Sequence, residues 1–152
     1  MSRAFVKESD EVEPLPERPV SPHANYVTAQ GLAQIESEVV RLSSAYAEAQ
    51  AANDRDALAG IGRDLRYWQQ RRASAQLIEM SPDKETVHFG STVTIEREDG
   101  RRQTWRIVGE DEADPANGTL SYVSPVGRAL TGRQRGDVVQ AGNSAAEIVA
   151  IE

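Results

Sequence analysis

The sequence predicts an α+β fold: an antiparallel helical hairpin, or coiled coil, followed by an antiparallel β domain with one short helix. Three observations carry this. Apolar residues from Leu32 to Ala49 recur at alternating spacings of three and four. A polar tetrad, Asn53-Asp54-Arg55-Asp56, interrupts them before the same spacing resumes. From Thr86 onward the apolar period falls to two, that of a half-buried strand.

Residues 1–26 come first. Pro14, Pro16, Pro19 and Pro22 share this segment with Glu8, Asp10, Glu11, Glu13 and Glu17. Such a composition buries too little apolar surface to offset the entropy of ordering. An acidic, proline-rich, disordered arm is expected. The functional alternative is a partner-binding extension anchored by Phe5-Val6 and Leu15.

Residues 27–80 are the hairpin. A helix starts at Thr28, and Leu32, Ile35, Val39, Leu42, Tyr46 and Ala49 form an a/d seam over about three heptads. The polar tetrad then supplies turn-forming and cap-forming residues. Leu58, Ile61, Leu65 and Trp68 repeat the seam on a second helix, expected to end near Ile78, ahead of Ser81-Pro82. Two seams joined by a short polar turn make an antiparallel pair. Gly60 and Gly62 each cost the second helix ~1 kcal/mol relative to Ala, so its start should fray. Arg72 stands where the next apolar residue is due. A buried, unpaired cation would be costly there, so Arg72 should face solvent or the second domain and mark where the helices splay.

Residues 81–152 form the β domain. Val87/Phe89, Val93/Ile95 and Trp105/Ile107 alternate with polar residues, and Asp99-Gly100 punctuates a hairpin. An acidic stretch, residues 110–118, reads as a tight hairpin turn, with Asp114-Pro115 and then Asn117-Gly118. A strand follows at residues 120–123. The short helix has strong punctuation: Ser124 as N-cap, Pro125 at its first position, Ala129-Leu130 as apolar payload and Gly132 just past the end. A Gly136-Asp137 turn leads into Val138-Val139, and residues 146–151 supply the last strand.

Composition limits the function. A net charge of −7 and a pI near 4.9 argue against a free-standing basic module for nucleic acid and favour a protein partner. There is no cysteine, and the two histidines, His23 and His88, offer no ligand spacing. No run of ~20 apolar residues suggests a membrane span, and no apolar signal core opens the chain. A cytoplasmic protein is expected. No nucleophile constellation, phosphate-cradling glycine loop or metal cluster is legible. The acidic stretch lacks the spaced oxygen ligands of a calcium loop, so turn formation and solvation are its expected roles.

One run carries a resemblance. Gly109-Glu110-Asp111-Glu112-Ala113-Asp114-Pro115, Gly118, Leu120-Ser121, Ser124-Pro125, Arg128-Ala129-Leu130 and Gly136-Asp137 match a distinctive pattern. Val87-His88-Phe89-Gly90-Ser91-Thr92-Val93-Thr94 and Ile107-Val108 fit the same pattern upstream. The run resembles the C-terminal domain of the bacterial transcript-cleavage factors GreA and GreB. The resemblance covers roughly half the chain and implies an FKBP-like β domain. It implies a transcription elongation regulator that binds RNA polymerase and inserts its hairpin into the secondary channel, where it stimulates cleavage of backtracked transcripts. Such a protein is an accessory factor, not an enzyme, and neither a membrane nor a specific nucleic-acid sequence is expected as partner.

Two sets of site residues follow from the resemblance. Val123, Ser124, Pro125 and Arg128 hold the positions of the polymerase-docking surface. Asp54 and Asp56 hold the hairpin tip, where family carboxylates help bind a second Mg²⁺ beside the polymerase's own. Two metals about 3.5–4 Å apart can activate water and stabilise a leaving oxygen, and Mg²⁺ takes hard oxygen ligands.

This sequence departs from the family at the tip. The family reads D-L-x-E-N, an Asp and a Glu three apart. Here either Asp54 or Asp56 is in register, with Ala57 or Asn53 at the other position. Each arm of the hairpin is also shorter than the family pattern by roughly two turns, ~10–15 Å at 1.5 Å per residue. The alternative is therefore a non-cleaving polymerase-binding regulator, resembling the regulator of nucleoside diphosphate kinase. Capping of the second helix is the competing role for Asp54 or Asp56. A prolyl isomerase reading rests on fold analogy alone. Only Phe89, Trp105 and Tyr122 could line its apolar pocket.

Overall fold

The structure, a computed structural model, describes residues 15–152. The expected anchors Phe5 and Val6 lie outside the described residues. Contacts divide the chain into two compact units. One combines the segment ending at Pro22 with Glu36–Ala73; the other combines His23–Ile35 with Ser74–Glu152.

The hairpin follows its sequence signals. Helix α1 spans Ala29–Ala51. The Thr28 hydroxyl accepts from the Gly31 N–H at 3.0 Å, which caps the first turn. Ile35, Val39, Leu42 and Ala49 of the expected seam are buried, and Leu32 and Tyr46 are half-buried. Helix α2 spans Arg55–Ser74, with Leu58, Ile61, Leu65 and Trp68 partly covered. Arg72 is exposed as expected, whereas its neighbour Arg71 is only 2% exposed.

Helix α2 does not reach Ile78. It stops at Ser74, and Gln76–Leu77 forms a short strand, β2, parallel to strand β1, Tyr26–Val27. The reason is a competing backbone. The Asn25 carbonyl accepts from Gln76 N–H at 2.8 Å and the Val27 carbonyl from Ile78 N–H at 3.1 Å. These bonds satisfy residues that another helical turn would otherwise have taken up.

The segment expected to be a disordered arm has defined contacts from residue 15 onward. The Glu17 carboxylate takes a bidentate pair from Arg66 Nε and Nη2, the shortest contact 2.6 Å. The Arg18 guanidinium lies 3.9 Å from the Tyr67 ring centroid and reaches Asp64 at 3.5 Å. A bidentate pair and a cation on an aromatic face repay ordering entropy that apolar burial alone would not.

The β domain is a five-stranded sheet in the order β5-β4-β3-β7-β6. Its strands are β3 (Thr92–Arg97), β4 (Arg102–Val108), β5 (Thr119–Ser121), β6 (Val138–Ala141) and β7 (Ser144–Ile151). The β3–β4, β3–β7 and β6–β7 pairs are antiparallel, but β4 and β5 run parallel, so the sheet is mixed. The acidic stretch is therefore a crossover and not a tight hairpin. Two single 3₁₀ turns, Glu110–Glu112 and Pro115–Asn117, carry the chain back before Gly118, at φ 85°, releases it into β5. Helix α3, Pro125–Leu130, follows as read. Val87 and Phe89 lie outside the strands. A bond from the His88 N–H to Ser91 Oγ at 2.9 Å and Gly90 at φ 89° turn the chain there. Val87, Val93, Ile95, Ile107, Leu130 and Ile148 form the centre of the core, with Trp105, Tyr122 and Val126 packed on it.

Candidate functional site

The hairpin tip is made by two caps in succession. Asn53 sits at φ 53°. The Asn53 N–H bonds to the Gln50 carbonyl at 3.1 Å and the Asp54 N–H to the Ala49 carbonyl at 3.0 Å. This pairing around a left-handed residue closes a helix C-terminus in a Schellman arrangement. Asp54 then starts α2: its Oδ1 accepts from the Ala57 N–H at 3.1 Å. Asp56 lies in the first turn of α2 and is exposed. Both carboxylates suit the positive end of the helix dipole.

The tip offers few metal ligands of its own. One Asp54 oxygen is engaged by the backbone, Arg55 lies between the two acids, and Ala57 supplies no donor atom. Among the described residues, no group of three or more His, Cys, Asp or Glu side chains is arranged to hold a metal. Asp54 and Asp56 suit a divalent cation only when most of its ligands come from elsewhere.

The second candidate lies where β5 meets α3. Ser124 Oγ accepts from the Gly127 N–H at 3.1 Å and donates to the Ser121 carbonyl at 2.7 Å. Pro125 at the first helical position leaves no N–H unsatisfied and is exposed. Val123 is half-buried, and its N–H bonds to Ser121 Oγ at 3.1 Å. Gly127 is required by packing: a Cβ there would sit 2.2 Å from the Ser121 carbonyl oxygen. Arg128, one turn beyond Ser124, is exposed, and its Nη2 reaches His23 Nε2 at 3.4 Å. The structure thus gathers Val123, Ser124, Pro125 and Arg128 on one short edge.

Sequence reasoning missed what lies against that edge. The Tyr122 hydroxyl donates to the Ala24 carbonyl. The Tyr26 ring packs against Tyr122 at 5.2 Å and Phe89 at 6.2 Å between centroids. A Cβ on Gly109 would stand 2.4 Å from the Tyr26 carbonyl oxygen, so β1 approaches the domain too closely for any other residue. Two aromatics considered for a proline pocket, Phe89 and Tyr122, instead pack edge-on or tilted against Tyr26 and each other, and Trp105 packs against the core. Glu112 was missed as well. Its carboxylate accepts from the Thr28 hydroxyl at the start of α1. The acidic stretch therefore also fixes a helix N-terminus, where negative charge is favourable.

The chain is similar to known proteins. A family model described as "Transcription elongation factor, GreA/GreB, C-term" matches residues 82–152. Over 134 residues the chain is 37% identical to transcription elongation factor GreA of Desulfovibrio desulfuricans, covering 74% of this chain and 82% of that protein. The chain belongs to the GreA/GreB family. It is also 32% identical over 136 residues to transcription elongation factor GreB of Haemophilus influenzae, covering 77% of this chain and 86% of that one. Among solved structures, GreA factor homolog 1 of Thermus thermophilus matches 86% of this chain and 99% of its own at 21% identity, with a TM-score of 0.43. Within the D. desulfuricans match, 74% of 152 residues is about 112, so about 22 of the 134 matched positions have no residue in this GreA/GreB-family chain. Among its described residues, no helix is long and apolar enough to cross a membrane.

Proposed function

We propose that this GreA/GreB-family protein binds RNA polymerase as an elongation regulator. Its hairpin enters the secondary channel, and the edge formed by Val123, Ser124, Pro125 and Arg128 docks on the polymerase surface. Family membership is the observation that carries this reading. The exposed Pro125 and Arg128, on a helix start held by two bonds of the Ser124 hydroxyl, support the docking part.

At the tip, Asp54 and Asp56 are the carboxylates available to a Mg²⁺ shared with the polymerase, the ion that would supply water activation for transcript cleavage. A second reading, a non-cleaving regulator of the same family, is favoured by one specific observation. Asp54 caps α2 through Oδ1, a role that accounts for it without a metal. The hairpin is also short: α1 has 23 residues and α2 has 20, ~34 and ~30 Å.

Adding the protein to backtracked elongation complexes with Mg²⁺ and scoring shortened RNA separates the two. Cleavage abolished in the Asp54→Asn/Asp56→Asn variant, with polymerase binding retained, supports the metal role. Undiminished cleavage by that double variant excludes it. No stimulation by the wild-type protein, with binding intact, selects the non-cleaving regulator.

A further inference from the structure

We propose that the segment before β1 is part of the polymerase-docking edge, with His23 as a positioning residue for Arg128. This inference rests on the docking reading above and adds residues to it. Three contacts place the segment there. The Arg128 guanidinium donates to His23 Nε2 at 3.4 Å. The Tyr122 hydroxyl donates to the Ala24 carbonyl. The ring of Tyr26 packs on Tyr122, the residue preceding Val123.

The segment is held firmly enough to act as a template. Asn25 is 4% exposed, its Nδ2 donates to Ser74 Oγ at 3.2 Å, and its carbonyl accepts from Gln76 N–H. Gly109 lets the Tyr26 backbone close onto the domain. His23 therefore leaves a fixed backbone to meet Arg128, whose side chain is otherwise long and exposed. The lone pair of an imidazole nitrogen accepts one guanidinium N–H and restricts the rotamers of the arginine before binding. The remaining donors are left for an acceptor on the polymerase, such as a carboxylate, and less side-chain entropy is lost when that contact forms.

The test measures RNA polymerase binding by the full-length protein carrying Arg128→Ala, His23→Ala, His23→Gln and the Arg128→Ala/His23→Ala pair, with melting curves as a fold check. Arg128→Ala is expected to weaken binding ~10-fold, as a contact at the centre of an interface does. His23→Ala should cost ~3-fold, His23→Gln should restore most of that loss through its acceptor, and the pair should bind no more weakly than Arg128→Ala alone. Where His23→Ala lowers the melting temperature, His23→Lys replaces it: a second cation facing Arg128 should weaken binding at least as much. Wild-type binding by His23→Ala together with a weakened Arg128→Ala overturns this inference and leaves the docking edge standing. Additive losses in the pair overturn it as well, since His23 would then act independently of Arg128. Wild-type binding by both Arg128→Ala and Pro125→Asn defeats the docking reading and this inference with it.

Discussion

The hairpin tip and the proposed docking edge are built in opposite ways. At the tip, the two caps join residues no more than five apart: Asp54 to Ala49, Asn53 to Gln50, Ala57 to Asp54. At the edge, Arg128 meets a residue 105 positions away and Tyr122 one 98 positions away. A local structure can be altered one residue at a time, because its neighbours supply the remaining caps. A non-local edge transmits a change on one segment to all the others it holds. A substitution at the tip should thus stay local, whereas one at the edge should reach every segment the edge holds.

The largest effect should come from Gly127→Ala. The added Cβ meets a backbone oxygen that cannot move without parting β5 from α3. A loss of about 3 kcal/mol in unfolding free energy is expected, together with loss of polymerase binding. Denaturant titration giving wild-type stability would show the edge to be more compliant than its packing implies.

Pro125→Asn tests the edge without touching its core. The fold should persist, because Ser124 still caps the helix, while polymerase affinity falls about tenfold. Equal binding by this variant would remove Pro125 from the docking surface.

At the tip the effects should be smaller and separable. Asn caps a helix about as well as Asp, so Asp54→Asn should leave hairpin stability near wild type, whereas Asp54→Ala should lower it by about 1 kcal/mol. Thermal melts of the two variants check this. If both lose the same amount, the charge at the helix end matters more than the cap hydrogen bond.

The smallest effect concerns residues 15–22. The Arg66 guanidinium, by hydrogen bond first, holds the Glu17 carboxyl below its usual range. A carboxyl with a lowered folded-state pKa stabilises the packed segment above the unfolded value and loses that contribution as pH falls through the lowered one. Proteolytic protection of residues 15–22 should therefore weaken as pH drops below about 4, and also in high salt, because the pair is exposed. Glu17→Gln should show that weakness already at pH 7. Protection identical in wild type and Glu17→Gln across the titration would assign the packing to Arg18 on Tyr67 alone.

The two regions also differed in how far they could be read in advance. The a/d seam of α1, the helix start at Thr28 and the Ser124 cap were legible because each depends on a few consecutive residues, and capping was one of the two roles read for Asp54 or Asp56. So were the turns at Gly118, Gly132 and Gly136, all at positive φ in the structure. The parallel β5 was not legible. Asn117-Gly118 signals a turn, but only the pairing of Ile107 with Leu120 decides whether the chain returns antiparallel or crosses over. The end of α2 was misjudged for a related reason: Ala75, Gln76 and Leu77 suit a helix well enough, and only the carbonyls of Asn25 and Val27 drew them into a strand.

By itself, then, the sequence determined the two helices, their seam, the strand-rich second half, the capped α3 and the residues that mark the family, because periodicity and capping act over one or two turns of chain. Tertiary structure alone decided that residues 15–26 are fastened down, that Glu112 caps the approach to α1 and that His23 stands beside Arg128. Those contacts join positions 49 to 105 residues apart. Loop closure over such distances is rewarded only once the whole fold is assembled, so no local pattern announces it.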